Sequence, residues 1–367
     1  MAMEENLVDE AAQKIERAGD AGFLWDFWYP AVRSAEIRGR GLVKAMLLEV
    51  PLVLGRTDEG KAFALRDACP HRGIPLSYGR FDGKTVECSY HGWKFDGCSG
   101  QCMEIPSLTS QDKLKVERIF AGHYRCEEHD GNVWVYMRGA SPRSTETVPA
   151  APKLVTFSAR HKSTHLACDL PSHVDQGIIG LMDPAHGPFV HQSWFWRSKK
   201  SIHEKAKQFE PIPFGFRMST HSPSTNSAPY QLLKRMTGAP VTTTIDFVLP
   251  NMRTEEIRSG KLWFSSLTTV TPVRRDLCRI DFLAAWNVPL PITLFRMFAK
   301  TFLRQDQETM IQQAEGLKHN PRLMLIDDAD RPAKWYFALK SNLLESRRSG
   351  TPMTNPMSEP VTLYWRS

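Results

Sequence analysis

No apolar run in this 367-residue chain approaches the ~20 residues that a bilayer-spanning helix needs; such runs are short and interrupted, as at Leu181–Met182 and Leu323–Ile326. The opening stretch, MAMEENLVDEAAQKIERAG, is acidic and has no apolar h-region. A secretory leader is therefore not expected, and a cytoplasmic protein is. There is no Gly-x-Gly-x-x-Gly after a strand pattern, so the chain has no nicotinamide or flavin fingerprint of its own. Internal repeats are also missing. The cysteines number seven, an odd count that argues against a disulfide framework in a reducing compartment. Charge of one sign is not concentrated either. Lys and Arg total 47 against 40 Asp and Glu, and they are spread along the chain rather than clustered, so nucleic acid is not an expected partner. With 41% hydrophobic and 24% charged residues the composition is that of an ordinary globular protein, long enough for two domains.

What is present falls into segments. Residues 4–18 carry Leu7, Val8, Ala11, Ala12 and Ile15 at helical spacing, with acids early and bases late, which predicts an amphipathic N-terminal helix over about residues 1–21. From 22 to 140 the pattern changes to short β-rich runs, such as Ala45–Leu54, Thr85–Cys88 and Val133–Met137. Turn signals at Asp82-Gly83 and Asp130-Gly131 punctuate them, as in a small all-β domain. The Pro-, Ser- and Thr-rich stretch 141–152 reads as a linker. Beyond it, residues 153–367 combine a partly helical segment at Pro171–His191 with a series of strands between Gly215 and Val288. A long helix near Ile292–His319 and a shorter one at Ala333–Arg347 follow. The fold class expected is α+β: an N-terminal all-β domain, then a curved antiparallel sheet around a long helix.

Four of the seven cysteines lie between residues 69 and 102, interleaved with histidines. Cys69-Pro70-His71-Arg72-Gly73 is followed, sixteen residues beyond Arg72, by Cys88-Ser89-Tyr90-His91-Gly92-Trp93. Two thiolates and two imidazoles on two tight loops suit either tetrahedral zinc or a [2Fe–2S] cluster with two Cys on one iron and two His on the other. Zinc fingers group a Cys pair and then a His pair. Here each loop offers one of each, and that alternation suits a binuclear cluster. Gly73, Pro75 and Gly92 allow close backbone approach, while Tyr90 and Trp93 can shield the group. Cys98 and Cys102, in Gly97–Cys102, read as a turn with buried thiols, and Cys126, Cys168 and Cys278 as core residues.

A second constellation lies at Asp183-Pro184-Ala185-His186-Gly187-Pro188-Phe189-Val190-His191. Two imidazoles from one segment with a distant carboxylate would make the facial triad of non-haem iron oxygenases, which leaves coordination positions open. Two histidines five residues apart say little alone; the upstream cluster motif gives them weight.

CPHR and CSYHGW, with D-x2-H-x4-H behind them, resemble the α subunits of Rieske non-haem iron oxygenases across nearly the whole chain. That resemblance implies Cys69, His71, Cys88 and His91 as ligands of a Rieske [2Fe–2S] cluster, and His186 and His191 as ligands of a mononuclear Fe(II). It implies Asp306 as the third ligand, since Gln305-Asp306 sits in the long helix as the family's does. Glu308 and Glu315 compete, but Glu308, two residues on, points to another face of the helix. Asp183 would bridge the two centres in a head-to-tail homotrimer, where His91 of one subunit reaches Asp183 and His186 of the next. The second domain would have the helix-grip fold. O₂ would be the co-substrate, and NAD(P)H electrons would arrive through a separate flavin reductase or ferredoxin, an acidic donor suiting a basic chain.

The pattern looks most like the single-component α branch, with its pheophorbide oxygenases, O- and N-demethylases and steroid-acting enzymes. Expected is hydroxylation or oxidative demethylation of a bulky hydrophobic or aromatic molecule. The alternatives are ring cis-dihydroxylation and, from another class, a non-catalytic electron carrier. Unlike the pheophorbide enzymes, this chain lacks a C-terminal Cys-x2-Cys and membrane helices. It also departs from many members in carrying Ile179 and Gly180 where an Asn stands a turn before the bridging Asp. His173 and Asp175 read as helix-start residues.

Overall fold

A computed structural model describes residues 22–139, 148–154, 161–192, 202–222 and 228–367. The helix expected over residues 4–18 and most of the expected linker lie outside these. The chain divides into two compact units, one spanning Trp25–Lys153 and the other made of the remainder, from Leu154 to Ser367 with Phe23 and Leu24.

The first unit is all β. Strands β1 (Phe27–Arg33), β10 (Cys126–His129) and β11 (Asn132–Met137) form one sheet in the order β1-β11-β10. A second sheet pairs β2 (Val43–Leu47), β3 (Val50–Arg56), β4 (Ala62–Arg66) and β9 (His123–Tyr124) in that order. A third is the meander β5 (Arg80–Phe81), β6 (Thr85–Glu87), β7 (Lys94–Asp96) and β8 (Cys102–Glu104). The β-rich run Ala45–Leu54 is a hairpin rather than one strand. Leu48 and Glu49 form its turn with φ of 52° and 64°, the left-handed pair that matches the twist of the flanking strands. Neither residue is Gly, Asn or Asp, so nothing in the sequence marks the turn. Behind Cys69 and Cys88, Leu76, Val86 and Phe95 are fully buried and anchor both loops. Residues 148–153 pack with this unit: the Pro149 carbonyl accepts from Trp28 Nε1 at 2.7 Å, and Ala151 N donates to Glu127.

The second unit is built on an eight-stranded antiparallel sheet. Its strands are β12 (Lys162–Leu170), β13 (Glu204–Ile212), β14 (Gly215–His221), β15 (Thr242–Val248), β16 (Met252–Ser259), β17 (Leu262–Arg274), β18 (Leu277–Trp286) and β19 (Val361–Arg366). The order is β12-β18-β17-β16-β15-β14-β13-β19. Strands β12, β13 and β19 were not expected from sequence. β13 reads EKAKQFEPI, too charged to stand out as a strand, and β12 (KSTHLACDL) is similarly mixed, whereas β19 (VTLYWR) carries an ordinary strand composition in a short C-terminal run.

Its helices are α1 (Val174–Met182), α2 (Gly187–Val190), α3 (Ala228–Thr237), α4 (Ile292–Leu317) and α5 (Arg331–Ser349). The α1 helix lies tight on the sheet. A Cβ on Gly177 would come within 2.8 Å of Val270 Cγ1 and 2.9 Å of Cys278 Sγ, so only glycine fits. The α4 helix runs along β12, and Gln307 Nε2 donates to the Asp169 carbonyl at 2.6 Å. The α5 helix covers the same face of the sheet over β14 and β15, setting Trp335 and Tyr336 against Phe216 and Phe247. This is the α+β architecture expected, a sheet gripping long helices.

Two cysteine expectations need correction. Cys98 is exposed, its N–H turned towards the Asp96 carboxylate in a tight turn, whereas Cys102 is buried. Cys126 and Cys168 are half-buried, and only Cys278 is fully a core residue.

Candidate metal centres

In the first unit the two Cys–His loops are near copies of one another. Cys69 N donates to the Ile74 carbonyl at 2.8 Å, and Cys88 N to the Trp93 carbonyl at 2.8 Å, five residues on in each case. The glycine four residues after each cysteine returns a bond to it, Gly73 N to Cys69 O at 2.8 Å and Gly92 N to Cys88 O at 3.0 Å. Both glycines sit at left-handed φ, 73° and 70°, where a side chain would be strained. The first loop leaves β4 and the second joins β6 to β7, so two sheets present one finger each.

The donor atoms follow that symmetry. Both thiols are buried, at 3% exposure each. Burial pushes the Cys69 thiol up to about 11, against the pull of the His71 and Arg72 amides that hydrogen-bond its sulfur. Desolvation, then the nearby His91 and Arg72 charges, lower His71, favouring the neutral imidazole that ligates metals. The His71 and His91 rings lie 4.6 Å apart, with Trp93 stacked on His71 at 4.7 Å and Tyr90 against His91 at 3.9 Å. The two thiols interact directly, and the two imidazoles lie side by side, so the donors group as a Cys pair and a His pair, the grouping that a binuclear cluster with two Cys on one iron and two His on the other needs.

In the second unit, His186, His191 and Asp306 do gather, each offering one ligand atom, all within 4.8 Å. His186 Nε2 and His191 Nε2 are 3.2 Å apart, and Asp306 Oδ1 is 3.1 Å from His191 Nε2. The α1 helix ends at Asp183, the short α2 separates the two histidines, and α4 supplies the carboxylate. The opposite ring nitrogens are held from behind. His186 Nδ1 meets the Asp183 carbonyl at 2.8 Å, with Asp183 Oδ2 at 3.6 Å, and His191 Nδ1 meets Gln305 Oε1 at 3.2 Å. With both Nδ1 atoms donating, both Nε2 lone pairs face one point. Phe302 lies against the His191 ring at 4.6 Å. Burial disfavours charge on His186, but hydrogen bonding to Asp183 and the charges of Asp183 and Asp306 outweigh it and raise its pKa. Two imidazoles and a carboxylate, grouped with no fourth His, Cys, Asp or Glu among the described residues, fit a mononuclear iron with open positions.

The structure brings His186, His191 and Asp306 together with Asp183 beside His186, and sets Cys69, His71, Cys88 and His91 on the two paired loops. Gln305 and Phe302 were not singled out as site residues; that Gln305 immediately precedes Asp306 was the available signal. Asp175 and Lys340 were not read as partners at all. Lys340 Nζ bonds both Asp175 oxygens, at 2.7 and 2.8 Å, and Tyr336 OH donates to Oδ1 at 2.5 Å. His173 caps α1, its Nδ1 accepting from Asp175 N at 3.2 Å. Gly180, where an Asn was looked for, faces Met310 of α4 and offers no polar group.

Residues 27–120 match the Rieske [2Fe-2S] domain family. Chlorophyllide a oxygenase of Arabidopsis thaliana is 32% identical over 174 residues, 47% of this chain and 30% of that protein. The oxygenase subunit of 3-chlorobenzoate-3,4-dioxygenase from Comamonas testosteroni is 31% identical over 172 residues, 46% of this chain and 38% of that one. The chain thus spans only about a third of the length of these curated relatives. The structure of Pseudomonas putida CBB5 NdmA with caffeine superposes with a TM-score of 0.73, covering 92% of this chain and 96% of that one at 19% identity, a likeness of fold. Among the described residues, no helix is long and apolar enough to cross a membrane.

Proposed function

We propose that this chain, which carries a Rieske [2Fe–2S] domain and shares its fold with the NdmA structure, is the oxygenase α subunit of a multicomponent system. It takes electrons from NAD(P)H through a separate reductase or ferredoxin and uses O₂ to hydroxylate or oxidatively demethylate a bulky hydrophobic or aromatic substrate. The observation that carries this reading is the convergence of His186, His191 and Asp306 in a chain that also holds the paired Cys–His loops. A carrier would need only the loops.

Cys69 and Cys88 would hold one iron of the cluster and His71 and His91 the other, while His186, His191 and Asp306 would hold the mononuclear iron. When bound, these groups supply one-electron storage and O₂ activation. The protein's own part is positional. Asp183 O and Gln305 Oε1 keep the proton on each Nδ1, so that each Nε2 is free to bind metal. Phe302 limits water at His191. The proposal includes a head-to-tail homotrimer in which Asp183 links His186 to His91 of the neighbouring subunit. The substrates named for the relatives, a chlorobenzoate, a chlorophyllide and caffeine, support a bulky ring compound as the class.

Iron quantification with coupled NADH and O₂ consumption, in the presence of a generic reductase, tests the reading. Three irons per chain and substrate-dependent O₂ uptake are expected; two irons and no uptake would leave a carrier. Asp183→Asn should keep all three irons yet abolish product formation, and normal turnover in that variant would remove the bridging role. Analysis of the product for one or two incorporated oxygen atoms separates monooxygenation from cis-dihydroxylation.

A further inference from the structure

We propose that one end of the large sheet, with α3 and the start of α4, is a surface that docks on an anionic lipid bilayer, the chain lying on the membrane rather than crossing it. The inference goes beyond the oxygenase reading and holds or fails without it.

The sheet register defines that end. Lys162, Trp286, Phe264 and Ile257 lie in one cross-strand row, where β12 and β17 begin and β16 and β18 finish. The α3 helix is fastened there from one side. Its Leu233 is buried, and Thr237 Oγ1 shares a hydrogen bond of 2.6 Å with Ser259 Oγ, the last residue of β16. The α4 helix starts from the other. Phe295 packs on Trp286 at 4.4 Å, and the Leu290 carbonyl, two residues before the helix, accepts from Trp286 Nε1 at 3.1 Å. Since β16 and β18 are separated only by β17, the two anchor points stand roughly 10 Å apart.

Both helices turn large apolar side chains outward. Leu232 and Met236, four residues apart on α3 and so on one stripe, are 60% and 49% exposed. Ile292, Leu294 and Met297, in the first two turns of α4, are exposed as well. Apolar residues scattered singly over a surface need no explanation, but five at one end of a sheet do. Bases stand among them. Lys234 and Arg235 on α3 and Lys261 in the β16–β17 turn are exposed, and none has an ion-pair partner among the described residues. Asp and Glu average about one residue in nine over the chain, yet 228–245, 257–275 and 282–305 contain none. Glu256, further along β16, is already paired with Arg258.

Charge and shape select the occupant. Leu, Ile and Met can sink into the boundary between headgroups and acyl chains, while Lys and Arg keep their charges at the phosphates. A protein partner would be met by aromatic anchors, and the large exposed side chains at this end are all aliphatic or Met. A second copy of the chain fits poorly too. An isologous contact would set these bases against one another, with no acid to answer them. The α3 helix, at ten residues, is about 15 Å long and lies far short of a span, which suits a helix resting in the interface plane. A bilayer is also where a bulky hydrophobic molecule collects, so docking would hold the oxygenase beside its substrate.

The test is flotation of the metal-loaded full chain, without reductase and without O₂, on vesicles of phosphatidylcholine alone or with a quarter of phosphatidylglycerol. The anionic vesicles should bind it about tenfold or more tightly than the neutral ones, and the difference should shrink as salt rises from about 0.1 M towards 1 M. Each base near an anionic surface is worth roughly a fivefold gain in partitioning, so the double variant Lys234→Gln, Arg235→Gln should bind the anionic vesicles about twentyfold more weakly. Leu232→Ser with Met236→Ser removes only exposed side chains. It should weaken binding about tenfold with an unaltered thermal midpoint and an unaltered oligomeric state by light scattering. No flotation with anionic vesicles, equal binding to both vesicle types, or folded variants that bind like the unmodified protein would overturn the docking surface. So would a serine variant whose oligomer comes apart, since a second copy would then cover this end. Because binding is read without turnover, the two readings fail separately: iron content and O₂ uptake decide the oxygenase, and flotation decides the membrane surface.

Discussion

At the scale of single residues, the second centre depends on side chains that touch no metal. Gln305 accepts from His191 Nδ1 at 3.2 Å and so decides which nitrogen of the ring is free to bind. Replacing it by leucine keeps the volume and removes the acceptor. Outer-shell partners of ligating histidines are typically worth ~10–100-fold in metal affinity or activity. Gln305→Leu should therefore lose the mononuclear iron to a chelator at ~10–100-fold lower concentration while the visible spectrum of the cluster is unchanged; Gln305→Glu, which keeps an acceptor, should recover much of the difference. Equal retention in the leucine variant would show that Gln305 does not orient His191. Much of this centre was legible beforehand because its information is local. His186 and His191 share nine residues with Asp183, and each Cys–His loop is a six-residue motif. Asp306 was legible only because Gln305-Asp306 resembles a family pattern, since no local rule ties a helix carboxylate to a histidine more than a hundred residues earlier.

At the scale of elements, the placement of α1 rests on one buried ion pair. Asp175 and Lys340 are 7% and 1% exposed in their side chains, and Tyr336 completes the carboxylate's bonding from α5. Nothing in the sequence shows this contact, because the partners are 165 residues apart and each reads as an ordinary helix charge. Lys340→Met would strand a buried carboxylate, a change that typically costs about 3–5 kcal/mol. For a unit of this size that is a drop of roughly 6–20 °C in melting temperature. The double variant Lys340→Met, Asp175→Leu should recover most of it; if the double variant is as unstable as the single one, the stranded charge is not the cause. A second pair sits on the sheet. Burial alone would raise the Asp281 pKa, but Arg279, with Nε 2.8 Å from Oδ2, and His165 on β12, 3.1 Å from Oδ1, pull it below the usual carboxylate range. A depressed carboxylate stabilises the fold above its unfolded pKa of about 4 and loses that contribution as pH falls through the lower folded value. Urea midpoints should thus drop between pH 5 and pH 3 by more in the native protein than in Asp281→Asn; parallel curves would show that Asp281 is not a source of the acid sensitivity.

At the scale of the whole molecule, the surplus of seven positive charges looked like a docking field for an acidic electron donor, yet it is unevenly placed. The cluster-holding unit, residues 25–153, carries 18 Lys and Arg against 16 Asp and Glu, whereas the other unit, residues 1–24 with 154–367, carries 29 against 24. The excess therefore belongs mainly to the unit that does not hold the cluster, and the cluster unit has little net field with which to steer a partner over distance. What that unit offers is local. Arg72 is exposed in the first ligand loop, one residue from His71. A donor approaching the histidine edge would meet this cation at short range, where a charge reversal changes the encounter rate and salt screens the difference within a Debye length of ~10 Å at 0.1 M ionic strength. Arg72→Glu should slow reduction of the cluster by an acidic ferredoxin about tenfold at low salt, with the gap closing as ionic strength rises towards 1 M, where the Debye length is only ~3 Å. Stopped-flow reduction followed at the cluster's visible band measures both. A reversal that leaves the low-salt rate unchanged would place the donor away from this loop and return the basic second unit as the surface it approaches.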